Sequence, residues 1–121
     1  MDTMERKSLD QPDETRKFEG LGWADIVTVG GKAVARGHFQ PGWRWSVNVK
    51  PIAGTELCEV SHLIYCLEGT MRVTMKDGSV HEVTKGDAVA VPPGHDAEVI
   101  GHDACVMVDF GEIGEYALRH L

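Results

Sequence analysis

Long apolar runs are missing from this 121-residue chain. The longest, residues 63–67 and 104–108, span five residues each, far short of the ~20 that cross a bilayer as a helix. Basic side chains are scarce as well: 12 Lys and Arg stand against 19 Asp and Glu, a formal charge of −7. No cluster tracks a phosphate backbone, so neither nucleic acid nor a membrane is an expected partner. Cysteine is limited to Cys58, Cys66 and Cys105, an odd number without a CxxC pair. That argues against a disulfide framework and a zinc ribbon, and for a reducing, cytoplasmic setting. The opening MDTMERKSLD lacks the apolar centre of a secretory signal. No helical block is long enough for an α/β fold, and no phosphate loop, Ser-His-Asp order or paired-carboxylate spacing stands out.

What the chain does have is turns. Fourteen glycines and five prolines are spread along it, and distributed breakers in a chain of one-domain length mean many short strands. Residues 1–20 carry ten charged side chains and form an expected arm, extended or disordered unless a partner orders it. The domain proper is residues 21–121. Residues 24–29 and 33–39 flank Gly30-Gly31-Lys32 as a hairpin. Between 43 and 54 the pattern is less regular, although Trp43, Trp45, Val47 and Val49 alternate. Residues 56–67 form the best strand, with Cys58, Val60, His62, Ile64 and Cys66 on one face. Asp77-Gly78 predicts a type I′ turn between 71–75 and 80–83. A short strand at 88–91 ends at Pro92-Pro93-Gly94, residues 99–100 and 104–110 form a last hairpin, and 112–121 makes a short terminal helix or frays. This predicts an all-β sandwich or small barrel.

The turns carry a family resemblance. The run from Gly86 through Pro92-Pro93-Gly94 resembles the second motif of the cupins, and His62 followed by Gly69 resembles the end of their first motif. The resemblance covers residues 34–110. It implies an all-β double-stranded β-helix, a jelly-roll barrel whose interior commonly holds a metal and a small ligand. Typical cupin ligands are two histidines one residue apart, a glutamate, and a later histidine. The matching positions here are Glu56, Cys58, His62 and Ala97, with His95 two residues ahead of the last.

Glu56, Cys58, His62 and His95 thus make a candidate metal set of mixed O, S and N donors, suited to zinc, or less clearly to iron or nickel, with manganese a further divalent candidate. On an ideal strand Cys58 and His62 stand roughly 13 Å apart, so sharing one ion requires a bulge or strong bend. Plain structural alternatives stand beside this: Cys58 and Cys66 as small buried hydrophobes, His62 as a hydrogen-bonded core histidine. Trp43, Trp45, Met71 and Met107 are candidate pocket residues for a small-molecule ligand, or simply core. His38, His81, His102 and His120 are expected at the surface. Three functions follow: a metal-binding cupin acting on or sensing a small organic molecule, a metal-free small-molecule-binding module, or a dimerisation domain without chemistry. A homodimer is expected from the family habit of pairing barrel edges, with the arm as an extra partner strand.

Overall fold

The computed structural model describes residues 3–117. Among these residues nine strands run in chain order: β1 Glu14–Lys17, β2 Gly22–Val29, β3 Lys32–Phe39, β4 His62–Glu68, β5 Thr70–Met75, β6 Val80–Thr84, β7 Ala88–Val91, β8 His95–Ile100 and β9 Cys105–Asp109. Two helical turns, α1 Trp45–Asn48 and α2 Lys50–Ala53, precede β4, and a 3-10 turn at Ile113–Glu115 follows β9. All pairings are antiparallel. One sheet has the order β1-β2-β3-β9-β4-β7 and the other β6-β5-β8. Side chains alternating inward from both sheets, among them Ile26, Ala35 and Met107 on one and Met71, Val73 and Val99 on the other, form a single core.

The arm is part of this fold. Its strand β1 pairs with β2 of the same chain, from Glu14 opposite Ile26 to Lys17 opposite Trp23. Phe18 is buried and stacks on Phe39 at 5.4 Å between ring centroids, so a boundary at residue 20 cuts through packed core. Arg36 holds the preceding segment down through the Leu9 carbonyl and the Asp10 carboxylate.

Four expectations are corrected. Residues 45–53 coil into α1 and α2 rather than a strand: the Asn48 side chain accepts from the Arg44 N–H and donates to the Glu19 carbonyl. Pro51 sits in the first turn of α2, and left-handed Gly54 ends it. Trp43 and Trp45 are therefore both buried, but not as neighbours on one strand face. The strand expected at 56–67 begins only at His62. Asp77 has no positive φ, and the β5–β6 turn closes with Gly78 alone in the left-handed region, its N–H bonded to the Met75 carbonyl. The hairpin expected between 99–100 and 104–110 does not form, because β8 pairs with β5 while β9 pairs with β3 and β4. Residues 101–104 instead cross between the sheets, the kind of connection that makes a jelly roll rather than a stack of hairpins.

Candidate metal centre

Cys58 owes its place to a bridge with the head of β8. Its N–H donates to the His95 carbonyl at 2.8 Å, and its own carbonyl accepts from the Gly94 N–H at 2.8 Å. Four residues on, His62 opens β4 opposite Val91 in the other sheet. Residues 59–61 thus step from one sheet to the other, which supplies the bend that one shared site requires. Cys58 Sγ lies 3.6 Å from His62 Nε2. With His95 the three residues present ligand atoms within 4.8 Å of one another, and all three are buried.

Both imidazoles are oriented from behind. His62 Nδ1 contacts Asp109 Oδ2 at 2.5 Å, and the other Asp109 oxygen accepts from the backbone N–H groups of Gly111 at 2.8 Å and Leu63 at 3.3 Å. Gly111 permits this approach, since a Cβ there would stand 2.7 Å from His62 Cα. His95 Nδ1 faces the Pro92 carbonyl at 2.9 Å, an acceptor only, so Nδ1 carries a proton and Nε2 is the ring nitrogen turned toward the cluster. A carboxylate or carbonyl behind a histidine is the arrangement that fixes metal-binding tautomers.

Charge follows from the same contacts. Burial pushes the Cys58 thiol up, but hydrogen bonds from His62 and then His95 more than offset it and bring the thiol down to about 7. Burial disfavours charge on His62 as well, yet the hydrogen bonds to Asp109 and Cys58 raise it to about 9. The two favour a thiolate beside an imidazolium in the metal-free protein. Burial pushes the Tyr116 phenol well above its ordinary value.

The cluster separates two spaces. Inside is a cavity of about 60 Å³, lined by Trp43, Trp45, Met71 and Met107 together with His62, His95, Asp109 and Tyr116. Outside is a cleft of about 410 Å³ lined by Cys58, Glu59, Val60 and Glu112, with Trp45 and Tyr116 bordering both. Tyr116 packs edge-on against His62 at 5.4 Å and is carried by a segment whose carbonyls Arg16 gathers: Nη1 reaches those of Ile113, Gly114 and Tyr116 at 3.2, 3.0 and 2.6 Å.

Glu56 is not brought into this set. It precedes the bridge at Cys58, and its side chain, 89% exposed, pairs with Lys50 at 3.0 Å. Ala97, at the position of the usual last histidine, lines the cavity from the same face of β8 as His95, since the pleat repeats every two residues. A histidine two residues early therefore still faces inward. His81 and His102 are exposed, whereas His38 is half-buried, stacked on Trp23 at 4.5 Å and facing Asp25. His120 lies outside the described residues. The sequence reading missed Asp109 and Tyr116. Asp109 had a signal, a carboxylate in phase with inward-facing Cys105 and Met107, whereas nothing in the local pattern marks Tyr116.

The family model of the cupin domain matches residues 45–111. No curated protein sequence matches the chain. Among solved structures, an RmlC-like cupin from Shewanella frigidimarina superposes with a TM-score of 0.62 at 18% identity, covering 91% of this chain and 92% of that one. KdgF from Halomonas sp. gives 0.58 at 18% identity, covering 82% and 86%. Oxalate decarboxylase from Bacillus subtilis gives 0.61 at 22% identity, covering 88% of this chain, which spans only 28% of that longer one. At such identities the likeness speaks for the fold. No helix among the described residues is long and apolar enough to cross a membrane. A family match over more than half the chain, laid on a two-sheet antiparallel jelly roll with its donor cluster between the sheets, makes this protein a member of the cupin domain family.

Proposed function

We propose that the chain binds one divalent metal ion through Cys58 Sγ, His62 Nε2 and His95 Nε2, and takes a small organic ligand beside it in the inner cavity. The carrying observation is the spacing of donors. Zinc–sulfur and zinc–nitrogen bonds of about 2.3 and 2.05 Å at a tetrahedral angle separate S and N by about 3.6 Å, and Cys58 Sγ stands 3.6 Å from His62 Nε2. Three protein donors leave a fourth position open, the mark of catalytic rather than structural zinc sites. One thiolate and two imidazoles favour zinc or another borderline-soft ion over manganese.

The chain's own groups have distinct parts. Asp109 and the Pro92 carbonyl hold the imidazole tautomers, and the lowered thiol makes Cys58 available as thiolate near neutral pH. The lining of the inner space is mostly apolar, with His62, His95, Asp109 and Tyr116 as its polar members. A bound divalent ion would act as a Lewis acid on a ligand oxygen. Bacillus oxalate decarboxylase, similar in fold, is named for chemistry on a small acid, which is consistent with a small-ligand reading here. Metal analysis tests the proposal: protein purified without a His-tag and reconstituted with zinc, iron, nickel or manganese should hold about one ion per chain, and His62→Ala should not. Occupancy well below stoichiometric with every metal overturns it.

One observation favours a second reading. Cys58, His62 and Asp109 also form the thiol–imidazole–carboxylate order of a nucleophilic cysteine, at 3.6 and 2.5 Å. Failure to bind metal, together with selective reaction of Cys58 with an electrophile, would support that reading.

A further inference from the structure

Of the three donors in the cluster, only Cys58 lines the outer cleft, whereas His62 and His95 line the inner cavity. That cavity is about 60 Å³ and is walled by core side chains, Trp43, Met71 and Met107 among them, none more than 5% exposed. An ion arriving from that side would cross packed interior. The outer cleft is about 410 Å³, and the exposed Glu59 and Glu112 line it together with Cys58. Carboxylates in solvent and a thiol at depth offer a cation negative charge along one route.

Tyr116 borders both spaces and packs edge-on against His62 at 5.4 Å. The strap that carries it, residues 113–117, joins neither sheet. Tyr116 N–H bonds back to Ile113 within the 3-10 turn. Among the described residues, the strap's hydrogen bonds to the rest of the chain all come from Arg16. Phe18 adds a ring contact to Tyr116 at 6.0 Å. Ala117 sits at φ 54°, left-handed backbone that a non-glycine residue keeps only where its surroundings hold it. Glu14 braces Arg16 at Nε and Nη2, at 3.1 and 2.9 Å. Both belong to β1, a four-residue strand at the edge of its sheet, paired with β2 alone. Such an element opens locally before the rest of a fold does.

We propose that metal reaches the Cys58–His62–His95 centre through the outer cleft, and that β1 latches this path by holding the Tyr116 strap closed through Arg16. This rests on the proposed reading of the cluster as a metal site. Cys58 is then the first donor an entering ion meets and the last it leaves. Opening of the latch precedes both entry and exit, so loosening it speeds both and leaves affinity unchanged. A distorted site would speed release alone.

The experiment follows cobalt(II) uptake by metal-free protein, and its release to excess chelator, through the visible absorption of the ion. Arg16→Ala should speed both rates by roughly 10- to 100-fold, as loss of hydrogen bonds to a charged donor allows, with Kd unchanged within about threefold. Glu14→Gln, a milder loosening of the same latch, should speed both by about two- to fivefold. Val99→Ala truncates a buried side chain that lines neither space; it should lower Tm and leave both rates alone. Glu59→Gln with Glu112→Gln should slow uptake at low salt by about threefold or more, a difference that vanishes as salt screens the charges. Unchanged rates in Arg16→Ala and Glu14→Gln, faster release with a proportionately weaker Kd, or equal acceleration in Val99→Ala overturns the latch. Uptake at low salt indifferent to the two glutamates overturns the path. A wild type that takes up no cobalt shows instead that the metal reading itself fails, and the path with it.

Discussion

Replacing Asp109 with Asn should cost the site most of its metal affinity while leaving the fold in place. The carboxylate faces three N–H groups: Nδ1 of His62 on one oxygen, Leu63 and Gly111 on the other. A carboxamide has only one oxygen. If that oxygen keeps Leu63 and Gly111, the new NH₂ faces His62 Nδ1, which must give up its proton to accept. The proton then moves to Nε2, the atom that faces Cys58, and the lone pair a metal needs is gone. If the amide turns over, His62 is satisfied but two backbone donors face an NH₂. Residues behind a ligating histidine are typically worth 10- to 100-fold in metal affinity, about 1.4–2.8 kcal/mol at one decade per 1.4 kcal/mol. Competition for zinc against a chromophoric chelator, at fixed pH, measures this directly. Zinc affinity in Asp109→Asn within twofold of wild type, with an unchanged near-UV CD spectrum, would refute the argument that Asp109 sets the His62 tautomer.

Other outcomes follow from the same geometry. In metal-free protein held in chelator, the alkylation rate of Cys58 should rise through a midpoint near pH 7, because hydrogen bonds from His62 and His95 outweigh burial. In His62→Ala burial gains weight, so the midpoint should move above the ordinary thiol value of about 8.5. Arg16→Ala should free the three carbonyls that hold the Tyr116 segment. Hydrogen bonds to a charged donor suggest a loss of about 2 kcal/mol, visible as a drop in Tm of roughly 6–10 °C and as faster alkylation of Cys58 from the outer cleft. A second copy of the chain is the expected occupant of the outer face of β4: Leu63, Tyr65 and Phe110 are 52%, 46% and 56% exposed there, beside Leu67 and the exposed Ala88 and Ala90. Doubled about a two-fold axis, such a patch reaches the roughly 1,000 Å² a specific interface needs. Sedimentation should show a dimer that Leu63→Lys with Phe110→Lys converts to monomer; a monomeric wild type would refute this.

Much of the fold was legible because turn residues are local. Gly30-Gly31, Gly69, Gly86 and Pro92-Pro93-Gly94 mark strand ends that depend only on nearby backbone geometry. Which strands pair is not local. That is why residues 99–110 read as a hairpin although β8 and β9 belong to different sheets. The helical turns at Trp45–Asn48 and Lys50–Ala53 escaped for a related reason: an alternating apolar pattern suited a strand, and the contacts that override it, from Asn48 back to Arg44 and Glu19, are side-chain bonds that no periodicity displays.

At the site, Cys58, His62 and His95 could be proposed from residue type and motif position, but their convergence depends on residues 59–61 crossing between sheets, a tertiary fact. Glu56, by contrast, was assigned from motif position alone, and the bend that draws Cys58 inward leaves Glu56 in solvent with Lys50. Asp109 is the residue that a stricter reading of inward-facing phase could have found.

The central claim is that one metal ion shares the Cys58 thiolate with the two histidines. Cobalt(II) substitution tests it most directly, since the visible absorption of the ion reports coordination number and a sulfur-to-cobalt charge-transfer band reports the thiolate. The account predicts a four-coordinate spectrum with one such band per chain, abolished in Cys58→Ser and lost along with cobalt binding in His62→Ala. A six-coordinate spectrum without the charge-transfer band, or one indifferent to Cys58→Ser, would contradict it.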